Sequence, residues 1–427
     1  MAIEPERSGG LNSKGPKGRP RSGPDAERPV RIDYSATPSP CFVLEEARLR
    51  ANLELLAEVS RRSGATILCA LKGFAMYSAF PLVRRHLAGV TASSLAEALL
   101  GVEHFVGAEG QGEIHAYCPA YLPEDFDAIA RLASHITFNS IGEYQRYRAR
   151  LRSASPGLRI NPEYAEVATD LYNPCVPGSR LGVTAGAIAA ECGLGRLPEG
   201  LEGLHFHTMC EQGADTLART LEQVEGKFGP LLDQARWLNM GGGHAITREG
   251  YDVDGLVELI RGLRARHPQL QRIILEPGSA VGWQTGELVA TVLDIVENQG
   301  VRTAMLDVSF SAHMPDTLEM PYRPRVHGAR DGARDDARDD EAQASGAGHR
   351  YHLGGQTCLA GDFMPDYLFE RELAVGDRVV FADMIHYTMV KTTTFNGVRL
   401  PAIAICREDG RLDVQKRFGY EDYKRRL

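Results

Sequence analysis

The 427-residue chain predicts an α/β protein in which a (β/α)8 TIM-like barrel is followed by a C-terminal β-rich domain. Three observations carry this expectation. Short apolar runs alternate eight times with helical patterns between residues 66 and 276. No G-x-G-x-x-G turn follows the first run, as a doubly wound open sheet would want. Beyond about residue 282 the helical periodicity stops, and β-rich segments separated by turn residues take over.

Residues 1–33, rich in Pro, Gly, Arg and Ser without an apolar core segment, read as a disordered tail rather than a signal peptide. The barrel is expected over 36–282, with a run at 40–44 (PCFVL) placed to pair with C-terminal strands. Barrel strands are expected at 66–71 (TILCAL), 88–93 (AGVTAS), 112–117 (GEIHAY) and 134–139 (SHITFN). Four more follow at 157–161 (GLRIN), 202–208 (EGLHFHT), 235–241 (ARWLNMG) and 271–276 (QRIILE). Helices are expected at 45–62, 76–86, 95–104, 124–132, 141–152, 179–192, 215–234 and 254–267. The fourth begins with acids and ends with Arg131, which suits the helix dipole. The β-rich domain, 283–427, contains a run of Ala-Arg-Asp units at 328–350, whose four arginines and six acids offer nothing to bury. It reads as a solvated loop insertion.

Composition narrows the function. A formal charge of −8 argues against nucleic acid, and no apolar run is long enough to span a bilayer. The eight cysteines are scattered without C-x-x-C pairs, so neither a zinc knuckle nor a disulfide framework is indicated. A cytoplasmic protein fits this pattern best.

Active sites of such barrels form at the C-terminal ends of the strands. Lys72 ends the first apolar run, where a desolvated amine can serve as a nucleophile rather than a solvent-seeking surface charge. His205 and His207 share one face of the sixth strand. Gly241, Gly242 and Gly243 follow the seventh, with His244 next, and Glu276, Pro277 and Gly278 follow the eighth. The glycines can be a plain turn or an anion-binding nest. The histidines with Glu276 could hold a metal, as in barrel hydrolases, but that leaves Lys72 unexplained. Pyridoxal 5'-phosphate uses all these groups together: an amine for its aldehyde, glycine N–H groups for its phosphate, a stacking partner and an acid for its ring nitrogen.

The motifs "CALKGF", "HFHTMCE", "NMGGGHAI", "LEPGSAVGW", "GGQTCLAGDF" and "HYTMVKTTTFNG" occur in the order of a known family. Over 36–427 the chain resembles the fold type III pyridoxal-phosphate decarboxylases, the alanine racemase and ornithine decarboxylase group. The stretch "LDVSFSAHMPDTLEMPYRP", 306–324, is similar to the subgroup that decarboxylates carboxynorspermidine and carboxyspermidine in polyamine biosynthesis. The resemblance implies Lys72 as the Schiff-base lysine and His207 as the residue stacked on the ring. It implies Gly241, Gly242, Gly243, Gly278 and Tyr387 around the phosphate, and Glu276 at the ring nitrogen and near substrate. It also implies Cys358 as the proton donor to Cα, on a loop entering the partner's site in a homodimer. No resident metal is expected.

The substrate's cationic tail needs acidic partners, and Asp316, Glu319 and Asp362 are the candidates. Where ornithine decarboxylases carry an acid directly after the loop cysteine, this chain has Leu359. That departure speaks against a simple ornithine or lysine substrate. Decarboxylation of another basic amino acid is the alternative, and a metal-dependent barrel hydrolase the remote one.

Overall fold

The computed structural model describes residues 32–107, 110–167, 170–320, 322–331 and 348–427. The expected tail, up to residue 31, and positions 332–347 of the expected insertion lie outside the described residues.

Strand β1 (Cys41–Glu45) leads into helix α1 (Glu46–Ser63). This helix buries Leu49, Leu53, Leu56 and Val59, one apolar stripe at helical spacing, and stops at Gly64, whose φ of 75° suits a left-handed cap. Burying each such side chain contributes about 1.5–3 kcal/mol. The barrel strands are β2 (Thr66–Ala70), β3 (Gly89–Ala92), β4 (Glu113–Tyr117), β5 (His135–Phe138), β6 (Ser155–Arg159), β7 (Gly203–His205), β8 (Trp237–Asn239) and β9 (Arg272–Leu275). They close in sequence order, β9 pairing in parallel with β2.

The outer helices are α2 (Phe80–Val83), α3 (Leu95–Leu100), α4 (Phe126–Leu132), α5 (Ile141–Tyr147), α6 (Ala185–Cys192), α7 (Ala214–Leu232) and α8 (Val253–Arg266). Helices α2 and α6 depart from the sequence expectation for local reasons. Helix α2 is four residues long, with Pro81 in its first turn and a 3₁₀ turn before it. Helix α6 starts at Ala185, where the Thr184 hydroxyl accepts from the Ala187 N–H; upstream, Pro174 and Pro177 with Gly178 hold the chain as loop.

After α9 (Ser279–Gly282) the chain builds the second layer. Its strands are β10 (Gly286–Asn298), β11 (Val301–Leu306), β12 (Ala329–Asp331), β13 (His349–Gly354), β14 (Phe363–Phe369), β15 (Arg378–Ala382), β16 (Ala402–Cys406) and β17 (Leu412–Lys416). With β1 they form a nine-stranded sheet of order β12-β14-β13-β11-β10-β1-β16-β17, and β15 also pairs with β10. Strand β1 lies antiparallel to β10 and parallel to β16, so the chain's first strand sits inside the C-terminal sheet. Short helices α10 (Phe310–His313), α11 (Pro315–Glu319), α12 (Tyr387–Lys391) and α13 (Tyr420–Lys424) interrupt it. The stretch 306–324 thus carries two of these short helices, α10 and α11, between β11 and β12. Among the described residues no helix is long and apolar enough to cross a membrane, and all eight cysteines are free thiols.

Candidate active site

Lys72 follows β2 at the C-terminal end of the barrel. Solvent reaches it through the mouth, yet barrel atoms surround it, and this burial pushes its amine below the ordinary lysine range. The Arg159 guanidinium adds to the lowering, while the Glu276 carboxylate opposes it. Lys72 Nζ lies 3.2 Å from His207 Nε2. His207 Nδ1 lies 3.1 Å from the Gly242 carbonyl, which can only accept, so Nδ1 carries the proton and Nε2 faces the amine. Burial, then the Lys72 charge, holds His207 well below its usual range, and the ring is neutral at pH 7.

The glycine turn permits no side chain. A Cβ on Gly242 would lie 2.4 Å from the Glu276 carbonyl oxygen, and one on Gly243 2.0 Å from that of Met209. Gly241 and Gly243 also have φ of 67° and 82°, the left-handed region. Gly278 and Gly73 bring their backbones together where β9 and β2 end: a Cβ on Gly73 would stand 2.8 Å from the Gly278 Cα. The result is a side-chain-free backbone turn at the barrel mouth, the kind of element that can present N–H groups to an anion.

Glu276 is buried at 9 % exposure. Its Oε1 accepts from Asn239 Nδ2 at 2.6 Å, and Asn239 Oδ1 accepts from the Gly241 N–H at 2.9 Å. One asparagine thus locks the acid and the glycine turn together. His205 lies beside it, Nε2 3.8 Å from Glu276 Oε2; burial, then Arg159, holds it well below its usual range. Arg159 is itself buried, donating to the Tyr117 hydroxyl at 2.7 Å and to the His207 carbonyl at 3.1 Å.

Asn239, Arg159 and Tyr117 were not among the sequence candidates. Each is a polar residue within a mostly apolar strand run, and that unusual placement is the only trace they leave. Burial pushes Tyr387 up to about 12, with Cys210 and Glu211 adding to the rise. Cys210 itself is another residue the sequence candidates omitted.

His205, His207 and Glu276 do not converge as metal ligands. Among the described residues the one group of three with ligand atoms within 4.8 Å of one another is Glu113, His115 and His135. There the Arg272 guanidinium already pairs with Glu113 at 2.9 Å, and the group begins strands β4 and β5, at the end of the barrel away from Lys72.

The remaining candidates come from the C-terminal sheet. Asp316 is 2 % exposed; its Oδ2 accepts from the Tyr322 hydroxyl at 2.6 Å and from Thr388 Oγ1 at 2.7 Å. Its Oδ1 is buried without a partner. Thr388 is next to Tyr387, so this carboxylate adjoins the phosphate-side candidate. Glu319 is exposed and ion-paired with Lys391. Cys358 is exposed on the loop between β13 and β14, its N–H donating to Asn396 Oδ1 at 2.9 Å. Asp362 closes the same loop, and both its oxygens accept from groups of its own chain.

Comparison with known proteins agrees with this geometry. The family profile described as pyridoxal-dependent decarboxylase, C-terminal sheet domain, matches residues 41–385. A carboxyaminopropylagmatine decarboxylase of Synechocystis is 52% identical over 92% of this chain and 96% of its own. A carboxynorspermidine/carboxyspermidine decarboxylase of Campylobacter jejuni is 43% identical over 92% of this chain and 99% of its own. The crystal structure of carboxynorspermidine decarboxylase from Campylobacter jejuni, complexed with norspermidine, superposes with a TM-score of 0.81 at 42% identity, covering 92% of this chain and 100% of that one. A Helicobacter pylori diaminopimelate decarboxylase structure shares the fold at a TM-score of 0.74 and 17% identity, covering 92% of this chain and 97% of that one. With that profile spanning most of the chain and relatives this similar, the chain is a carboxy-lyase belonging to the pyridoxal-dependent decarboxylases.

Proposed function

We propose that this enzyme binds pyridoxal 5'-phosphate at Lys72 and removes the α-carboxylate from a carboxylated polyamine, carboxynorspermidine or carboxyspermidine, to give norspermidine or spermidine. The buried, unpartnered Oδ1 of Asp316 carries the substrate reading: a carboxylate oxygen cut off from water without a donor suits a ligand's ammonium group. Asp383 Oδ1 lies 3.3 Å from Nε2 of His386, the residue before Tyr387, so a second carboxylate stands on the same segment as Thr388. A diaminopimelate-like substrate would bring a second carboxylate there beside its far ammonium, and that carboxylate would meet repulsion.

The residues fit the cofactor. The glycine N–H groups and Tyr387 would hold its phosphate, His207 would lie against its ring, and Glu276 would hold a proton at its ring nitrogen. When bound, the cofactor supplies an electron-accepting ring for the pair left by the breaking Cα–carboxylate bond. The chain does the rest. Lys72 would supply the amine that anchors the cofactor's aldehyde. Asn239 keeps Glu276 aimed, and the His207 Nδ1–H bond to Gly242 fixes its ring in place. Cys358, from a second copy of the chain, gives the proton that Cα needs.

A homodimer with shared sites is supported by what surrounds Cys358. Leu359, Phe363 and Phe395 are all exposed there, an apolar patch suited to burial against another chain. Free thiols throughout suit a reducing cytoplasm.

A second reading has its own support in the 52% identity to a carboxyaminopropylagmatine decarboxylase. Its substrate, by its name, also carries a carboxylated aminopropyl arm, but ends in a guanidinium. An acidic tail pocket serves either cation.

Asp316→Asn tests the common element. It is expected to raise KM for the carboxylated polyamines about tenfold, roughly 1.4 kcal/mol of lost pairing, with kcat little changed. Steady-state kinetics on purified enzyme reads this, and an unchanged KM would remove Asp316 from the pocket.

A further inference from the structure

We propose that Asp362 is a positioning residue that sets Cys358 in place, rather than a ligand for the substrate; this rests on Cys358 being the proton donor. The residues 355–362 join β13 to β14, and Asp362 ties this loop shut at both ends. Its N–H donates to the Leu359 carbonyl at 3.0 Å, and its carbonyl accepts from the Gly355 N–H at 2.7 Å. The side chain, 4 % exposed, turns inward. Oδ2 accepts from the Thr357 N–H at 3.1 Å and the Thr357 hydroxyl at 2.6 Å. Oδ1 accepts from the Ser309 hydroxyl at 3.1 Å and the Ser311 N–H at 3.0 Å.

Those four donors take the carboxylate's acceptor positions and leave none pointing at a substrate ammonium. They also connect two elements. Ser309 and Ser311 belong to the start of α10, and Thr357 is the residue directly before Cys358. Fit is close: a Cβ on Gly355 would stand 2.3 Å from Asp362 Oδ2, so the carboxylate presses on bare backbone. Asp362 therefore fixes the loop against α10, and Asn396 receives the Cys358 N–H from the other side. The backbone that carries the thiol is held by bonds on both flanks.

An anion is needed for this. Asp362→Asn would place an amide NH₂ against either the Thr357 or the Ser311 N–H, a donor facing a donor, and the loop must shift. A displacement of the proton donor on the order of 1 Å is enough to cost about 10²-fold in rate.

The test uses the holoenzyme dimer, with Asp362→Asn, Cys358→Ala and the double variant, carboxynorspermidine as substrate, and iodoacetamide as a probe of the Cys358 thiol. Asp362→Asn is expected to lower kcat by about 10²-fold, to leave KM within about twofold, and to cause no further loss in the Cys358→Ala background. It is also expected to change the Cys358 alkylation rate by about fivefold or more, since the local setting of a thiol governs its reactivity. Thr357→Ser, which keeps the hydroxyl donor, should behave as the parent. Thr357→Val should share the kcat loss and the altered alkylation, and this pair decides the matter should Asp362→Asn fail to fold.

A raised KM with parental kcat would make Asp362 a substrate ligand and overturn the proposal. So would a full additional loss in the Cys358→Ala background. Parental turnover by Cys358→Ala alone would instead refute the proton-donor role; the alkylation rate then still judges the clamp, and an unchanged rate overturns it.

Discussion

Replacing Lys72 with alanine is expected to abolish turnover and, with it, the visible absorption of the purified protein. The sign of the amine's perturbation explains why the position matters. Burial, then Arg159, disfavours the charged form, so Lys72 offers a neutral, nucleophilic amine at lower pH than a solvent lysine does. The rate at which cofactor-free protein takes up pyridoxal phosphate should accordingly rise with pH and level off below the ordinary lysine range. His207 contributes by presenting an unprotonated Nε2 at 3.2 Å, a neighbour that accepts from the amine without repelling it. Borohydride reduction followed by mass spectrometry should place the cofactor on Lys72 in the parent and nowhere in the variant. A reducible adduct surviving in Lys72→Ala would mean that another amine does this work. Mixing this variant with Cys358→Ala should restore activity in heterodimers, since one of their two sites then has both residues; a flat mixing curve would place both residues of a site on one chain.

Glu276→Gln is expected to lower kcat by about 10²–10³-fold while the protein keeps its cofactor. The carboxylate is held by a donor from Asn239 at 2.6 Å, and that asparagine is in turn tied to the glycine turn, so the group is aimed before substrate arrives. Glutamine matches the shape but not the charge, and a neutral amide cannot hold a proton on a ring nitrogen as a carboxylate does. The loss should appear in kcat more than in KM, because the interaction strengthens as electrons enter the ring. Stopped-flow and steady-state kinetics with a carboxylated triamine measure it. A kcat within about threefold of the parent would show that Glu276 merely binds Asn239.

What the sequence discloses and what it hides follow from how each signal is encoded. The eight barrel strands are legible because their buried faces demand contiguous apolar residues, and Lys72, the glycines and Glu276 stand out at their ends. Strand β6 begins at Ser155, two residues before its expected start at 157, because a serine and a proline open it and neither signals a strand. Helix α3 was expected to run to 104, but the chain passes into a π-helical segment over Gly101–Val106, where a Cβ on Gly101 would crowd Val90 and Ile114 at 2.7 and 2.8 Å.

Asn239 and Arg159 escaped notice because a buried polar residue has no period of its own; its purpose is a partner far along the chain. For Asp362 the sequence shows an acid near a loop cysteine but not the four donors that surround it. Lys391 was not foreseen as the partner that satisfies Glu319 on the surface.

The most direct test of the central claim is release of CO₂ by the purified, cofactor-loaded enzyme from a panel of substrates at equal concentration. Carboxynorspermidine, carboxyspermidine and carboxyaminopropylagmatine should be decarboxylated with kcat/KM about 10²-fold or more above ornithine, lysine and diaminopimelate. Preferred turnover of diaminopimelate, or no CO₂ from any carboxylated polyamine, would contradict the account.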